Sequence, residues 1–400
     1  MRDDDVRAAH DPARRHTKGI YEHMDFSTAC IHPSRHAEDP TGSIVPPLYL
    51  TASFAHPGVG QSTGYDYTRL QNPTREVLEN TVCALEGGDD CLAFSSGMAA
   101  ISCLMELFSP GDRIVSSWDL YGGSIRLFEG VSTKNGVEVA RVDTTDLDAV
   151  AAALAPGAAA LFVESPTNPT MSVSDIRALA ELAHAAGALL VVDNTFLTPY
   201  FMNPIALGAD VVVHSATKYL GGHNDVIAGL LVSALPEVSE RLRYLIKTIG
   251  SGLDPFAAWL VSRGIKTLPL RMERHQANAR RLAEWLGEQP QVSYVLYPGL
   301  ADHPGHDLCL AQGRGFGGMV TFGVDTEERA LDLLRRVRLV LFAESLGGAE
   351  TLVTYPMTQT HADVAPEELA EKGIDGRMLR LSVGLESADD IIEDLAQALA

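Results

Sequence analysis

The chain has 400 residues, of which 46% are hydrophobic and 21% charged, and its formal net charge is −21. This composition is typical of a globular chain with a large core, and the length allows two or three domains. The acidic balance argues against nucleic acid and anionic membranes as partners, since both select a basic surface.

Five scattered cysteines without a CxxC pair make a disulfide framework or a zinc site improbable. The N-terminal residues contain no apolar core of a secretory signal, and the longest uncharged stretch, residues 149–163, is too short to cross a bilayer. We therefore expect a cytoplasmic protein with no bound metal.

The N-terminal part, residues 1–72, reads as an arm. Residues 1–24 are polar and of mixed charge, which predicts disorder, and residues 30–63 carry five prolines without a helical or strand period. A segment of this kind is expected to wrap over another surface, such as a second subunit.

Strands and helices alternate from residue 73 to about 254. The predicted helices are 74–85, 97–108, 124–134, 146–154 and 174–186; the predicted strands are 90–94, 113–116, 137–141, 159–163, 188–192, 210–213 and 227–232. Such alternation predicts an α/β domain with a mostly parallel sheet and helices on both faces. Residues 255–400 predict a smaller α+β domain, with one helix over 255–286 and strands at 292–296, 319–322 and 379–383.

Lys218 is the most informative residue of the first domain. It follows an apolar strand and stands between Thr217 and the glycines at 221 and 222, whereas lysine is ordinarily a solvated surface residue. At this position its amine could act as a nucleophile that forms a Schiff base. Asp193 ends another predicted strand, where an acid could pair with the ring nitrogen of pyridoxal phosphate.

Several other polar residues follow strand ends, where ligands bind in open α/β sheets. Lys218, Asp193, Glu164 and Ser96 share this position, which predicts one common site. The run from Phe94 to Ala100 has the form of a strand, a small-residue turn and a helix start, which can bind phosphate through free N–H groups but is also a common tight turn.

Alternatives remain open for some of these residues. Ser215 to Lys218 also fits SxxK, the pattern of serine acyl-enzymes, although the SDN and KTG partners of that fold are lacking. Tyr121 could stack on a flat cofactor or simply pack. Arg380, within an apolar strand, needs an anionic partner, which could be a substrate carboxylate or a structural acid. Arg69 could bind phosphate or lie in a surface loop.

Two further patterns are rejected. Residues 313–318 match GxGxxG, but a strand-like run follows where the dinucleotide fingerprint requires a helix. His303, His306 and Cys309 stand beside Pro304 and Gly305, and we expect loop residues there and no metal site.

Taken together, nine segments resemble the Cys/Met-metabolism (transsulfuration) family of pyridoxal-phosphate enzymes. They are YTRLQNPTR, FSSGMAA, DLYGG, ESPTNP, VVDNTF, HSATKYLGGH, RGIKTL, ESLGG and LRLSVGLE. The resemblance runs from about residue 26 to the C-terminus. It implies an α/β subunit of fold type I, like aspartate aminotransferase, with pyridoxal 5′-phosphate as cofactor and a homotetramer of two catalytic dimers.

The resemblance also implies roles for individual residues. Lys218 would hold the cofactor covalently, Asp193 would bind the pyridinium nitrogen, and Tyr121 would stack on the ring and assist proton transfer. The other implied residues are Gly97, Met98, Ser215 and Thr217 on the phosphate, Tyr67 and Arg69 on it from a neighbouring subunit, and Arg380, Asn168 and Ser345 on the substrate carboxylate.

Within the family, residues 342–364 are most similar to bacterial cystathionine γ-synthase/O-acetylhomoserine thiolyase proteins. Glu344 stands where γ-synthases and γ-lyases carry an acid suited to a distal amino group, and Gly123 stands where methionine γ-lyases typically carry cysteine. We therefore expect γ-replacement on an O-acylhomoserine by cysteine or sulfide, giving cystathionine or homocysteine. Cystathionine γ-lyase or β-lyase activity is the alternative, and a serine acyl-enzyme or a non-catalytic phosphate-binding module is a distant one.

Overall fold

The computed structural model describes residues 24–32, 41–359, 364 and 366–400. The predicted disorder of residues 1–24 therefore falls almost entirely outside the described residues. Between residues 41 and 63 the chain forms no helix or extended strand, as its prolines predict. A short helix, α1 (Phe26–Ile31), precedes this segment; the sequence analysis did not predict it, although Asp25 caps it by accepting from Ser27 N at 2.9 Å.

The larger sheet has seven strands in the order β1-β7-β6-β5-β4-β2-β3. They are β1 (Asp90–Phe94), β2 (Arg113–Ser117), β3 (Glu138–Val142), β4 (Ala160–Glu164), β5 (Leu189–Asp193), β6 (Val211–Ser215) and β7 (Gly229–Ser233). Only β7 runs antiparallel to its neighbours, β1 and β6. The predicted mostly parallel sheet is confirmed, with strand bounds within two residues of the prediction at most ends.

Helices cover both faces of this sheet, which explains why its strands are almost continuously apolar. The helices of this part are α2 (Pro73–Glu86), α3 (Gly97–Met105), α4 (Gly122–Leu127), α5 (Leu147–Leu154), α6 (Ile176–Ala185), α7 (Thr198–Phe201), α8 (Pro236–Ile249) and α9 (Pro255–Ile265). One apolar cluster packs α2, α6 and α9 on one face, and a second packs α3, α4 and α8 on the other.

Local signals determine where two of these helices begin. Asn72 precedes α2, and its side-chain oxygen accepts from Thr74 N at 2.9 Å, while Pro73 occupies the first helical position. Ser96 caps α3 in the same way by accepting from Ala99 N at 3.0 Å. This cap fixes the direction in which the first N–H groups of α3 point.

The smaller sheet has five strands in the order β10-β11-β12-β9-β8. They are β8 (Val292–Leu296), β9 (Met319–Val324), β10 (Leu341–Phe342), β11 (Leu352–Thr354) and β12 (Met378–Ser382); the helices of this part are α10 (Leu268–Gly287), α11 (His306–Gln312), α12 (Glu327–Arg336), α13 (Pro366–Glu371) and α14 (Ala388–Leu399). A third apolar cluster packs α10, α12 and α14 against this sheet. The predicted α+β character of the C-terminal part is confirmed, whereas the domain boundaries at residues 72 and 254 remain predictions.

Three sequence predictions were wrong. The single helix over 255–286 is two helices, because Pro269 lacks an N–H and is accommodated only in the first turn of a new helix, α10. The helix over 124–134 begins at Gly122 and continues as a π-turn over Phe128–Ser132. His306 and Cys309 lie in helix α11 and not in a loop.

The described residues contain neither a disulfide nor a metal cluster. All five cysteines lie in the described part of the chain, and they are free thiols. Among the described residues, no group of three histidine, cysteine or acidic side chains could hold a metal ion. No helix within those residues is long and apolar enough to cross a membrane.

Candidate active site

A cleft of about 510 Å³ opens at the carboxyl ends of the parallel strands, between the larger sheet and the loops that flank β10 and β12. Eleven of the predicted site residues line it: Gly97, Met98, Tyr121, Asn168, Asp193, Ser215, Thr217, Lys218, Glu344, Ser345 and Arg380. Residues that are far apart in the sequence therefore meet in one site, as the strand-end argument predicts.

Lys218 lies in the turn after β6, and its side chain is largely buried. Its Nζ donates to Ser345 Oγ at 3.0 Å. Burial lowers the pKa of this amine from 10.5 to about 8, with a further decrease from the Arg380 guanidinium and an opposing effect of Glu344. Roughly a tenth of the amine is thus uncharged at pH 7, and this is the nucleophilic form.

The backbone around Lys218 is held from two sides. Arg271 Nη1 donates to Tyr219 O at 2.6 Å. Gly222 has φ of +73°, and a Cβ there would lie 2.2 Å from Arg271 Nη1. On the other side, a Cβ on Gly347 would lie 2.6 Å from Tyr219 N. These close approaches fix the turn that carries the lysine.

Asp193 ends β5 beside this turn. Its Oδ1 accepts from Thr195 N at 3.0 Å, and Thr195 Oγ1 accepts from Ser215 N at 2.9 Å. Burial raises the pKa of the Asp193 carboxyl, while the hydrogen bonds from Thr195 and the nearby His214 oppose that effect. A cationic group placed against Asp193 would favour the ionised carboxylate.

The N-terminus of α3 forms a small polar cradle with Ser215 and Thr217. Gly97 and Met98 are the first two residues of the helix, so their N–H groups have no intrahelical acceptor. A Cβ on Gly97 would lie 3.1 Å from Ser215 Cβ, so a larger residue here would press on Ser215. Thr217 Oγ1 is already bonded to Ala228, accepting from its N at 3.0 Å.

Tyr121 directly precedes α4, lines the cleft and is 43% exposed. Its N–H donates to Glu164 Oε2 at 2.9 Å. A Cβ on Gly123 would lie 2.4 Å from Tyr121 Cε1, so the glycine gives the ring room in its present position.

Arg380 projects from β12 and is fully buried. Its guanidinium donates to three neutral oxygens: Asn168 Oδ1 at 2.8 Å, Ser345 O at 2.9 Å and Thr354 Oγ1 at 3.0 Å. Its Nε has no hydrogen-bond partner, and the carboxyl groups of Glu164 and Glu344 lie near enough to act on its charge without bonding to it. Burial lowers the pKa of Arg380 to about 10.

The loop from Glu344 to Gly348 forms the other wall of the cleft. Ser345 has φ of +95°, a strained conformation for a residue with a side chain, which typically costs about 1–3 kcal/mol. This backbone brings Ser345 Oγ to Lys218 and Ser345 O to Arg380. Glu344 is exposed at the cleft rim, where it carries a negative charge near both cations.

Tyr67 and Arg69 do not line this cleft. Arg69 lies over the Tyr67 ring, 5.6 Å from its centroid, and Arg69 Nη1 donates to Lys247 O. Tyr67 is 42% exposed. Their contribution to the site of a neighbouring subunit remains a prediction.

The serine acyl-enzyme alternative finds no support in this geometry. Lys218 Nζ is hydrogen-bonded to Ser345, and no hydrogen bond joins it to Ser215. Glu164 and Ser96, which the strand-end argument placed in the common site without a specific role, also line the cleft. The sequence analysis did not predict Arg126, Thr195 or Gln359, which line it too; Gln359 lies in a segment without any periodic pattern.

A partly neutral lysine at the strand ends, a buried acid and a helix-end cradle on a mostly parallel sheet together define a pyridoxal-phosphate enzyme of fold type I. Comparison with known proteins gives the family. Residues 27–400 match the family described as "Cys/Met metabolism PLP-dependent enzyme". The chain belongs to this family.

The chain is similar to relatives with different activities. It is 46% identical to cystathionine gamma-lyase of Bacillus subtilis, over 94% of this chain and 99% of that protein. It is also 46% identical to cystathionine gamma-synthase/O-acetylhomoserine (thiol)-lyase of the same organism, over 94% and 96%. A crystal structure of cystathionine gamma synthase from Xanthomonas oryzae pv. oryzae with cystathionine superimposes with a TM-score of 0.92 at 39% identity, over 94% of this chain and 98% of that one.

Pyridoxal phosphate is therefore the cofactor, and the residues fit it. The free N–H groups at the start of α3 and the Ser215 and Thr217 side chains line the same cleft, and this donor set fits a phosphate group. The buried acid of Asp193 and the amine of Lys218 lie at the same cleft.

Proposed function

We propose that this protein is a transsulfuration enzyme that catalyses γ-replacement on an O-acylhomoserine. Cysteine would displace the acyl group to give cystathionine and the free acid, and sulfide would give homocysteine. The alternative is a carbon–sulfur lyase that acts on cystathionine at the γ or the β carbon. A gamma-lyase and a gamma-synthase/thiol-lyase are both 46% identical to this chain, so sequence identity does not distinguish the two functions.

The main support for an amino-acid substrate is the hydrogen bonding of the buried Arg380. A buried guanidinium that is bonded only to neutral oxygens, with Nε unpaired, requires a compensating anion. A substrate α-carboxylate meets this need, because a planar carboxylate can bind the guanidinium through two parallel hydrogen bonds. Asn168 and Ser345 would fix the guanidinium in the orientation required.

The proposed proton carrier is Lys218. When bound, pyridoxal phosphate makes the Cα–H of an amino acid acidic by accepting its electron pair into the ring. The uncharged Nζ of Lys218 would then remove the Cα proton and return a proton later, and Ser345 Oγ would hold Nζ in place between these transfers. General acid–base steps of this kind contribute on the order of 10²–10⁴-fold each.

The remaining roles follow from position in the cleft. Asp193 would hold a protonated ring nitrogen, and Gly97, Met98, Ser215 and Thr217 would bind the phosphate. Tyr121 would stack on the ring and help to protonate the leaving group.

In this proposal Glu344 would bind the distal amino group of cystathionine or of an incoming cysteine, a role that replacement and γ-elimination share. Its carboxylate is exposed and lines the cleft. An exposed carboxylate and an ammonium group attract each other without a large desolvation penalty.

We also propose that Tyr67 and Arg69 complete the site of a neighbouring subunit in a homotetramer built from catalytic dimers. Both lie outside the cleft of their own chain, and a cation over an aromatic ring is a suitable surface for an anion of a second subunit. In this proposal the partners of the tetramer are its small amino-acid substrates.

Product analysis by mass spectrometry tests the function. The protein, loaded with cofactor, receives O-acetyl- or O-succinyl-homoserine with cysteine in one reaction and cystathionine alone in another, with Lys218→Ala as the control. We expect cystathionine formation to exceed its breakdown, and the control to have no turnover and no absorbance of lysine-bound cofactor.

Two other outcomes would contradict the proposal. Rapid release of cysteine with 2-oxobutyrate and ammonia from cystathionine would make the protein a γ-lyase, and release of homocysteine with pyruvate and ammonia would make it a β-lyase. Turnover by the Lys218→Ala variant would overturn the assignment of the proton carrier itself.

A further inference from the structure

Glu164 is the buried acid of the cleft that the proposed function leaves without a role. It is 6% exposed and is the last residue of β4. Its carboxyl group accepts from the backbone N–H of Tyr121 at 2.9 Å and from the backbone of Asn168. One side chain thus joins the loop before α4 to the loop after β4.

Each of these two loops carries a residue of the proposed site. Tyr121 provides the ring that would stack on the cofactor. Asn168 Oδ1 accepts from Arg380 Nη1 at 2.8 Å and so orients the guanidinium proposed to bind the substrate. A single acceptor therefore connects the cofactor side of the cleft to the substrate side.

The neighbouring strand places Asp193 next to Glu164. The two residues pair in the register of the parallel strands β4 and β5, so their side chains leave the sheet on the same face. Asp193 is the proposed partner of the ring nitrogen. Glu164 therefore lies between the three residues proposed to hold the cofactor ring and the substrate: Asp193, Tyr121 and Arg380.

We propose that Glu164 is a positioning residue that holds the Tyr121 ring and the Asn168–Arg380 pair in register with Asp193. The inference rests on the roles proposed above for Tyr121, Arg380 and Asp193. It adds a residue that touches neither the reacting atoms nor the substrate and acts through two backbone N–H groups.

The electrostatic surroundings indicate which form of Glu164 performs this role. Burial raises the pKa of its carboxyl well above the usual range, and the negative charges of Asp193 and Asp119 raise it further. The two backbone N–H groups lower it, and the cation of Arg380 lies close enough to interact. A glutamine is neutral and offers the same acceptor oxygen, so it separates the effect of the hydrogen bonds from that of the charge.

The test compares Glu164→Gln with Glu164→Ala and Glu164→Asp in the cofactor-loaded protein. The readouts are the visible circular dichroism of the bound cofactor, KM and kcat. We expect the glutamine variant to keep the dichroism and to change KM by less than about twofold, because it retains both hydrogen bonds. We expect the alanine variant to lose much of the dichroism and to raise KM about tenfold or more, since two buried N–H groups lose their acceptor and Arg380 is released.

The aspartate variant keeps the proposal testable if the alanine variant does not fold. Aspartate is also an acid, but its side chain is shorter by one methylene group and its oxygens would not reach the two N–H groups. We therefore expect this variant to resemble alanine in dichroism and KM. Asp210 provides a matched control, because it lies just before β6, at the opposite end of the same sheet, and accepts from Leu190 N at 2.7 Å. Asp210→Ala should lower the melting temperature and leave the dichroism and KM within about twofold of the wild type.

Two results would overturn the proposal. Wild-type dichroism and KM in the alanine and aspartate variants would show that nothing depends on the acceptor. A glutamine variant as impaired as alanine would show that the charge, and not the hydrogen bonds, is what the site requires. KM is measured for whichever reaction the wild type catalyses, replacement or elimination. The role of Glu164 can therefore be tested even if the proposed γ-replacement is wrong.

Discussion

The lowered pKa of Lys218 makes a prediction about stability that needs no substrate. In the folded chain this pKa is about 8 and the ordinary value is 10.5. The folded state therefore binds fewer protons than the unfolded state between these values, and the resulting penalty is fully present below pH 8 and disappears as the pH rises past 10.5. At about 1.4 kcal/mol per pKa unit, it amounts to about 3 kcal/mol at pH 7.

Replacing the lysine by methionine removes this penalty and keeps a flexible side chain of similar length. The variant also loses the hydrogen bond to Ser345, which is worth about 1 kcal/mol. We therefore expect Lys218→Met to increase the free energy of unfolding by about 2 kcal/mol at pH 7 and to lose this advantage at pH 10. The assay is urea denaturation of both proteins without cofactor and at one protein concentration, because bound cofactor would stabilise only the wild type.

A second lysine provides the contrast. Lys372 Nζ is 2.7 Å from Glu368 Oε1 and its side chain is 1% exposed. Lys372→Met leaves that carboxylate without one of its cations, so we expect a loss of stability at pH 7 and not a gain. A Lys218→Met variant that is less stable than the wild type at pH 7, or a difference that is the same at pH 7 and pH 10, would refute the reasoning.

Three further substitutions test the geometry of the site. Arg380→Ala should raise KM far more than it lowers kcat, because it removes the partner of the substrate carboxylate, and steady-state kinetics check this. Gly222→Ala should lower the free energy of unfolding by about 3 kcal/mol, measured in urea, because the residue has φ of +73° and its Cβ would clash with the hydrogen-bonded guanidinium of Arg271. Gly123→Cys should displace the Tyr121 ring and alter the visible dichroism of the cofactor with little change in melting temperature, since the ring can swing into the cleft.

Controls separate these effects from general damage. Gly373 has φ of +68° with no atom within 4 Å of its Cβ position, so Gly373→Ala measures the backbone penalty alone and should cost only about 1 kcal/mol. An equal loss in the two glycine variants would contradict the clash. An unchanged KM after Arg380→Ala would exclude its role as the substrate anchor, and unaltered dichroism in Gly123→Cys would show that the ring does not depend on that glycine.

The sequence was most informative where neighbouring residues determine structure. Apolar β-branched runs predicted the strands of the larger sheet, and the predicted helix starts at residues 74 and 97 lie within one residue of the observed ones. It was less informative where an element depends on distant contacts. The antiparallel direction of β7 is one example. Its connection from Ser215 to Gly229 has no crossover helix, which fits an antiparallel pair, but the position of β7 between β1 and β6 depends on contacts that are distant in the sequence.

Lys218 and Asp193 could be singled out from the sequence because both follow recognisable strands, and the carboxyl ends of parallel strands converge. Arg380 could be recognised only as a charge in an apolar strand that needs a partner. Its hydrogen-bond acceptor Asn168 is 212 residues away, and no local pattern encodes a contact over that distance.

The sequence by itself thus determined the elements, their alternation and the lysine at the strand end, because propensity, caps and hydrophobic period act over a few residues. Only the tertiary structure decided that Arg380 is hydrogen-bonded to neutral oxygens, that Ser345 bonds both to it and to Lys218, and that Glu164 joins two loops. Those features arise from packing two sheets around one cleft, where burial and distance set the charge of each group.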